Sequence, residues 1–196
     1  MRGNQPYTLD CLRELVAAVG ADCPGAIDSE DEKARAQIRH RALLLLDHRS
    51  RSRHELTERL QQLDFSPGLV SDVLDDLQRT GLIDDRNFAT EWVRQRHHRR
   101  GKSRALLENE LRDKGVDAGI RVEALGQIAE ADEQEMAMRL ARKKARTTVP
   151  RIPEDRRARD KALRRILGVL ARRGFPHEMS MEVADTALDE RISELR

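Results

Sequence analysis

An adjacent acid pair, Asp84 and Asp85, is followed by six cations, Arg94, Arg96, Arg99, Arg100, Lys102 and Arg104, with no acid among them. Paired carboxylates can share general acid–base work, but they need a partner that moves the proton or a metal that polarises the substrate. His97 and His98 are neighbours and project in different directions on a helix. His40, His48, His54 and His177 have no Cys or carboxylate at ligand spacing. The chain also lacks a P-loop, HExxH, a glycine-rich dinucleotide turn and GxSxG. No catalytic residue, metal ligand or cofactor is expected, and the chain is read as a non-enzyme. The acid pair then marks a helix start: Gly81 ends one helix, Leu82 and Ile83 plug a junction, Asp84 or Asp85 caps the next helix, and Phe88, Ala89 and Trp92 lie on its inner face.

Cations near a helix C-terminus complement its dipole. Six in the eleven residues 94–104 exceed that need and point to an anionic partner. Gly101 breaks the helix inside the tract and fans its charges over two helices and a turn. Basic runs at 139–146, with Arg142, Lys143 and Lys144, and at 156–165 extend the surface. The candidate contact residues are Arg94, Arg99, Arg100, Lys102, Arg104, Arg142, Lys143 and Lys144. Arg96 is set apart: four residues past Trp92, its stem is placed to pack over the junction. Phosphate binding needs only such cations. Single-strand readers add stacking aromatics, and none is interleaved here. The helices that would enter a major groove begin SPGLVSDVLDDL, DAGIRVEAL and PHEMSMEVAD, which are acidic faces unsuited to base reading.

Charge is spread unevenly around this tract. Residues 1–33 hold three Lys/Arg against seven Asp/Glu, a net −4, so with an overall charge of +2 residues 34–196 carry +6. Charged residues are 37% of the chain against about 25% ordinarily, and aromatics are only 3%. So thin a core and so much charge fit an elongated helical molecule better than a sphere. Cys11 and Cys23 make no disulfide framework, and residues 1–20 carry no signal-peptide pattern. No apolar run approaches the ~20 residues of a membrane span. A cytoplasmic, soluble monomer is expected.

From about residue 33 the apolar residues recur with helical period and never alternate as strands do. Shifting the sequence by 51 and then by 59 residues superposes seven apolar positions, among them Leu56/Leu107/Ile166, Leu60/Leu111/Leu170 and Phe65/Val116/Phe175. Ser52 and Ser103 coincide as helix caps. Asp64, Gly115 and Gly174 coincide where a helix ends. The expected fold is all-α: an acidic arm at 1–32 that is partly disordered and includes a short helix at 8–19, then three-helix repeats at 33–82, 83–130 and 131–196. In the first repeat the helices are placed at 33–48, 52–64 and 67–80, in the second at 85–100, 103–114 and 117–129, and in the third at 131–147, 154–173 and 177–191.

Gly81, Leu82, Ile83, Asp84, Asp85, Phe88, Ala89, Trp92, Val93 and Arg96, then Gly101, Glu110, Leu111, Lys114 and Gly115, and later Arg173, Gly174 and Phe175, closely resemble the signature of the RecX regulatory proteins. The likeness runs from about residue 36 to 190. It implies three tandem helical repeats in a curved array that binds the RecA recombinase filament in its groove and inhibits ATP hydrolysis, strand exchange and co-protease activity. It leaves room for weak, non-specific contact with single- or double-stranded DNA. The competing reading is a standalone non-specific DNA-binding protein. The sequence departs from the pattern in its acidic arm and in Asp64, where the later repeats have glycine.

Overall fold

A computed structural model describes residues 29–196. The expected helix at 8–19, Cys11, Cys23 and most of the acidic arm lie outside the described residues. Nine helices and no strand occur among them: α1 Ser29–His48, α2 Arg53–Gln61, α3 Pro67–Arg79, α4 Asp85–Arg100, α5 Arg104–Asp113, α6 Ala118–Leu125, α7 Glu130–Thr148, α8 Arg156–Arg172 and α9 His177–Glu194. The arm is expected to reach residue 32, but α1 already begins at Ser29. Glu30, Asp31 and Glu32 fall in its first turn, where their charge favours helix by complementing the dipole.

Helices pack in triplets. The substantial helix pairs join α1, α2 and α3, or α4, α5 and α6, or α7, α8 and α9, with none between triplets. Each triplet has its own buried cluster. The superposed sequence positions fill these clusters: Leu56, Leu107 and Ile166, like Leu60, Leu111 and Leu170, are all completely buried. This is the organisation of a repeat array, in which each unit contributes a local core and touches only its neighbours.

The two joints between triplets are built alike. At the first, Ser52 caps α2 by accepting from the Glu55 amide at 3.2 Å, and its hydroxyl donates to the Lys114 carbonyl at 2.7 Å. Asp85, from the start of α4, accepts from the Arg53 amide at 2.8 Å. At the second, Ser103 caps α5, its amide donates to the Arg173 carbonyl at 2.9 Å, and Glu133 accepts from the Arg104 amide at 2.8 Å. Gly115 and Gly174, at φ of 65° and 82°, end the middle helices of the incoming triplets. A Cβ on Gly115 would collide with His54, and one on Gly174 would stand 2.6 Å from the Leu106 Cβ. Asp64 holds the same left-handed conformation, at φ 61°, but is exposed. Glycine is thus required where a preceding triplet crowds the turn, and aspartate, which tolerates this conformation, suffices at position 64, where no described residue does.

Candidate interaction surface

The cationic tract is folded into a corner. α4 ends at Gly101, at φ 57°, where the Gly101 and Lys102 amides donate to the His97 and Arg96 carbonyls at 2.9 and 3.3 Å. This crossed pair of bonds closes the helix with a left-handed residue. His97 is buried, with Nδ1 2.9 Å from the Lys102 carbonyl. A Cβ on Gly101 would meet Arg173 and Leu140 at 3.0 Å, so the corner lies against the third triplet.

The expected contact residues divide into two kinds. Arg99, Arg100 and Arg104 are exposed, as is Lys143, and Lys144 is half-exposed. No ion pair among the described residues uses any of the five. The other three are engaged within the chain. Arg94 grips Glu91 at 2.6 and 3.1 Å, and Arg142 grips Glu190 at 2.7 and 2.8 Å. Lys102 bonds Glu110 and is half-buried. The Glu91–Arg94 pair, one turn apart on α4, was open to a reading of the spacing, whereas Glu190 and Glu110 reach their partners only through tertiary packing.

The sequence places Trp92 in the junction beside Leu82 and Ile83. Instead Ile83 belongs to the core of the first triplet, Leu82 is 54% exposed, and Trp92 is half-buried on the core of the second. Its ring is held by polar groups. The Arg96 guanidinium lies 3.1 Å over its centroid, the Lys114 ammonium lies 4.4 Å away, and the indole Nε1 donates to Glu110 at 3.0 Å. Cations over an indole face are attracted by the ring quadrupole. Burial pulls the Arg96 guanidinium below its ordinary pKa while Glu110 opposes this. Where the sequence sets the Arg96 stem over the junction, it is the guanidinium that packs, and it packs on the second triplet.

Lys114 carries the network across the first joint, bonding Glu55 at 2.5 Å, and Arg49 bonds the same carboxylate at 2.9 Å. Burial pushes the Glu55 carboxyl up, but hydrogen bonds from Arg49 and Lys114 outweigh it and hold the pKa at about 2. Burial raises the Asp85 carboxyl, and the Arg53 amide it accepts from opposes that rise. Asp84 is the residue that caps α4, accepting from the Arg86 and Asn87 amides at 2.9 and 3.0 Å. The acid pair is therefore divided between capping one helix and fastening another. The Glu55–Lys114 bridge, across 59 positions, had no local signal in the sequence.

Among the described residues no three metal-ligating side chains come together, and no helix is long and apolar enough to cross a membrane. The arrangement is suited to holding an extended anionic surface at separated points.

Comparison with known proteins gives a consistent result. Residues 39–77 match the family description "RecX, first three-helix domain" and residues 84–125 match "RecX, second three-helix domain". A protein of Corynebacterium efficiens named "Regulatory protein RecX" is 60% identical over 169 residues, covering 86% of this chain and 80% of its own. One of the same name from Mycolicibacterium smegmatis is 37% identical over 178 residues, covering 90% and 93%. The crystal structure of RecX from Lactobacillus salivarius superposes with a TM-score of 0.67 at 24% identity, over 81% of this chain and 99% of that one, which bears on the fold alone.

Proposed function

The chain belongs to the RecX family of regulatory proteins, and from that premise we propose that it binds the filament of RecA recombinase on DNA and inhibits the recombinase, its ATPase and its co-protease activity. It does so as a non-catalytic regulator, acting as a cytoplasmic monomer in DNA repair, homologous recombination and the SOS response. The observation that carries this reading is the group of cations without an ion-pair partner among the described residues, Arg99, Arg100 and Arg104 at the second joint and Lys143 and Lys144 on α7, displayed by an array of separate small cores. A repetitive filament offers many copies of one anionic surface. A repeat array can meet several of them, so that weak contacts combine through high local concentration.

The test is a titration into a RecA ATPase assay on single-stranded DNA, comparing wild type with Arg99→Ala/Arg100→Ala/Arg104→Ala. Exposed substitutions change stability by no more than about 0.5 kcal/mol, so helicity and Tm should be retained. Inhibition should weaken at least about tenfold, as expected for removal of rim charges that govern encounter with a charged partner. Equal inhibition by the folded variant would remove these residues from the interface. Equal affinity of the wild type for filament and for bare DNA would favour a standalone DNA-binding protein.

A further inference from the structure

α8 sorts its cations by face. Arg159 turns toward α9 and pairs with Asp185 at 3.3 Å and Asp189 at 2.9 Å, and it is the α8 residue that forms ion pairs among the described residues. Arg157, Lys161, Arg164, Arg165 and Arg172 are all exposed. At 3.6 residues per turn these five positions and Gly168 fall within an arc of about 100°. The arc holds no acid and no large apolar side chain. Asp160 lies at its flank, half-buried, with its carbonyl accepting from Arg164 Nε at 3.3 Å.

We infer that this outer face of α8 is a binding site for the phosphate backbone of a nucleic acid. From Arg157 to Arg172 the face is about 22 Å long, at ~1.5 Å per residue. That length of duplex axis presents roughly six phosphates on each strand. A protein partner would call for aromatic or aliphatic anchors at the centre of the contact. The arc supplies none, whereas backbone phosphates need only cations and carry no demand for side-chain shape. Gly168 is a second, independent mark. The nearest atom that a Cβ there would meet is the Arg172 guanidinium at 3.4 Å, so packing does not demand glycine. Glycine is nevertheless a poor helix former, and at the midpoint of the arc it leaves low ground on which a nucleic-acid backbone can approach.

The inference deepens the filament reading and rests on it for its setting: within the filament that the chain binds, α8 is the element that meets DNA. Its test uses DNA without recombinase. Fluorescence anisotropy of a labelled oligonucleotide of about 30 residues, single-stranded and as a duplex, is measured over a range of salt with the full chain. Arg157→Gln/Lys161→Gln/Arg164→Gln/Arg165→Gln should bind both forms at least tenfold more weakly, and the slope of log K against log salt should fall by about 3, at ~0.7–0.9 for each phosphate no longer neutralised. A control that removes four paired cations, Arg35→Gln/Arg39→Gln/Arg79→Gln/Arg86→Gln, should stay within twofold of wild type. Gly168→Glu, which favours helix and removes no cation, should also weaken binding. Circular dichroism checks folding throughout. Wild-type affinity and slope in the α8 variant, or an equal loss in the control, would overturn the inference. So would intact DNA binding combined with weakened filament binding, which would assign the face to the recombinase. Failure of the wild type to inhibit RecA ATPase would instead sink the filament reading and leave the DNA measurement standing.

Discussion

Glu55 is the residue on which the first joint turns. Its carboxylate closes the cap of α2 and receives both Arg49 and Lys114. With a folded pKa of about 2 against an ordinary 4.5, it binds protons less readily folded than unfolded. The stability it contributes is therefore present above the unfolded value and is lost as pH falls through about 4.5 toward about 2. Denaturant melts should show a loss of roughly 1–3 kcal/mol over that window that Glu55→Gln does not share, since the variant has already given up the ionised contacts. Identical pH profiles for the two proteins would place the acid sensitivity elsewhere. Trp92 gives an optical reading of the same network. Half-buried under Arg96 and Lys114, it should emit at a wavelength between those of buried and water-exposed indole, and Lys114→Met should change its intensity while leaving the far-ultraviolet circular dichroism unchanged.

Single substitutions at equivalent places should reveal the repeat among the elements. Leu60→Ala, Leu111→Ala and Leu170→Ala each remove a fully buried side chain and should each cost about 2–5 kcal/mol in a denaturant melt. The helix ends should behave unequally. Gly174→Ala places a Cβ against Leu106 as well as forcing a left-handed alanine, and should be destabilising by more than the ~1–2 kcal/mol of the conformation alone. Asp64→Gly, at an exposed turn, should be neutral or stabilising. These elements were legible in the sequence because period and offset act through local rules: apolar residues three and four apart, serine at a cap, glycine at a turn. The helix starts and the superposed core positions follow from them. What was not legible lies in pairs distant along the chain. Lys102 and Arg142 look as free as Arg99 until folding brings Glu110 and Glu190 beside them. Trp92 looks like core until two cations and a carboxylate are seen around its ring.

At the scale of the whole molecule, charge and modularity act together. Three small cores linked by polar joints give a chain whose outward cations can engage a partner at several points, and each engagement is screened by salt. Inhibition of RecA by the wild type should therefore fall steeply between low and high ionic strength, and the Arg99/Arg100/Arg104 variant should respond much less because it has fewer charges to screen. A salt response of the same steepness in both would show that these charges are bystanders. The two joints share one fastening: a serine at the start of a middle helix, a carboxylate from the next triplet, and a turn bare of any side chain. Only this polar frame repeats: the first joint adds the Lys114–Glu55 bridge, and the second has Leu106 and Arg173 at the corresponding places. One small set of polar groups thus does the same work twice, holding neighbouring triplets together while each keeps a core of its own.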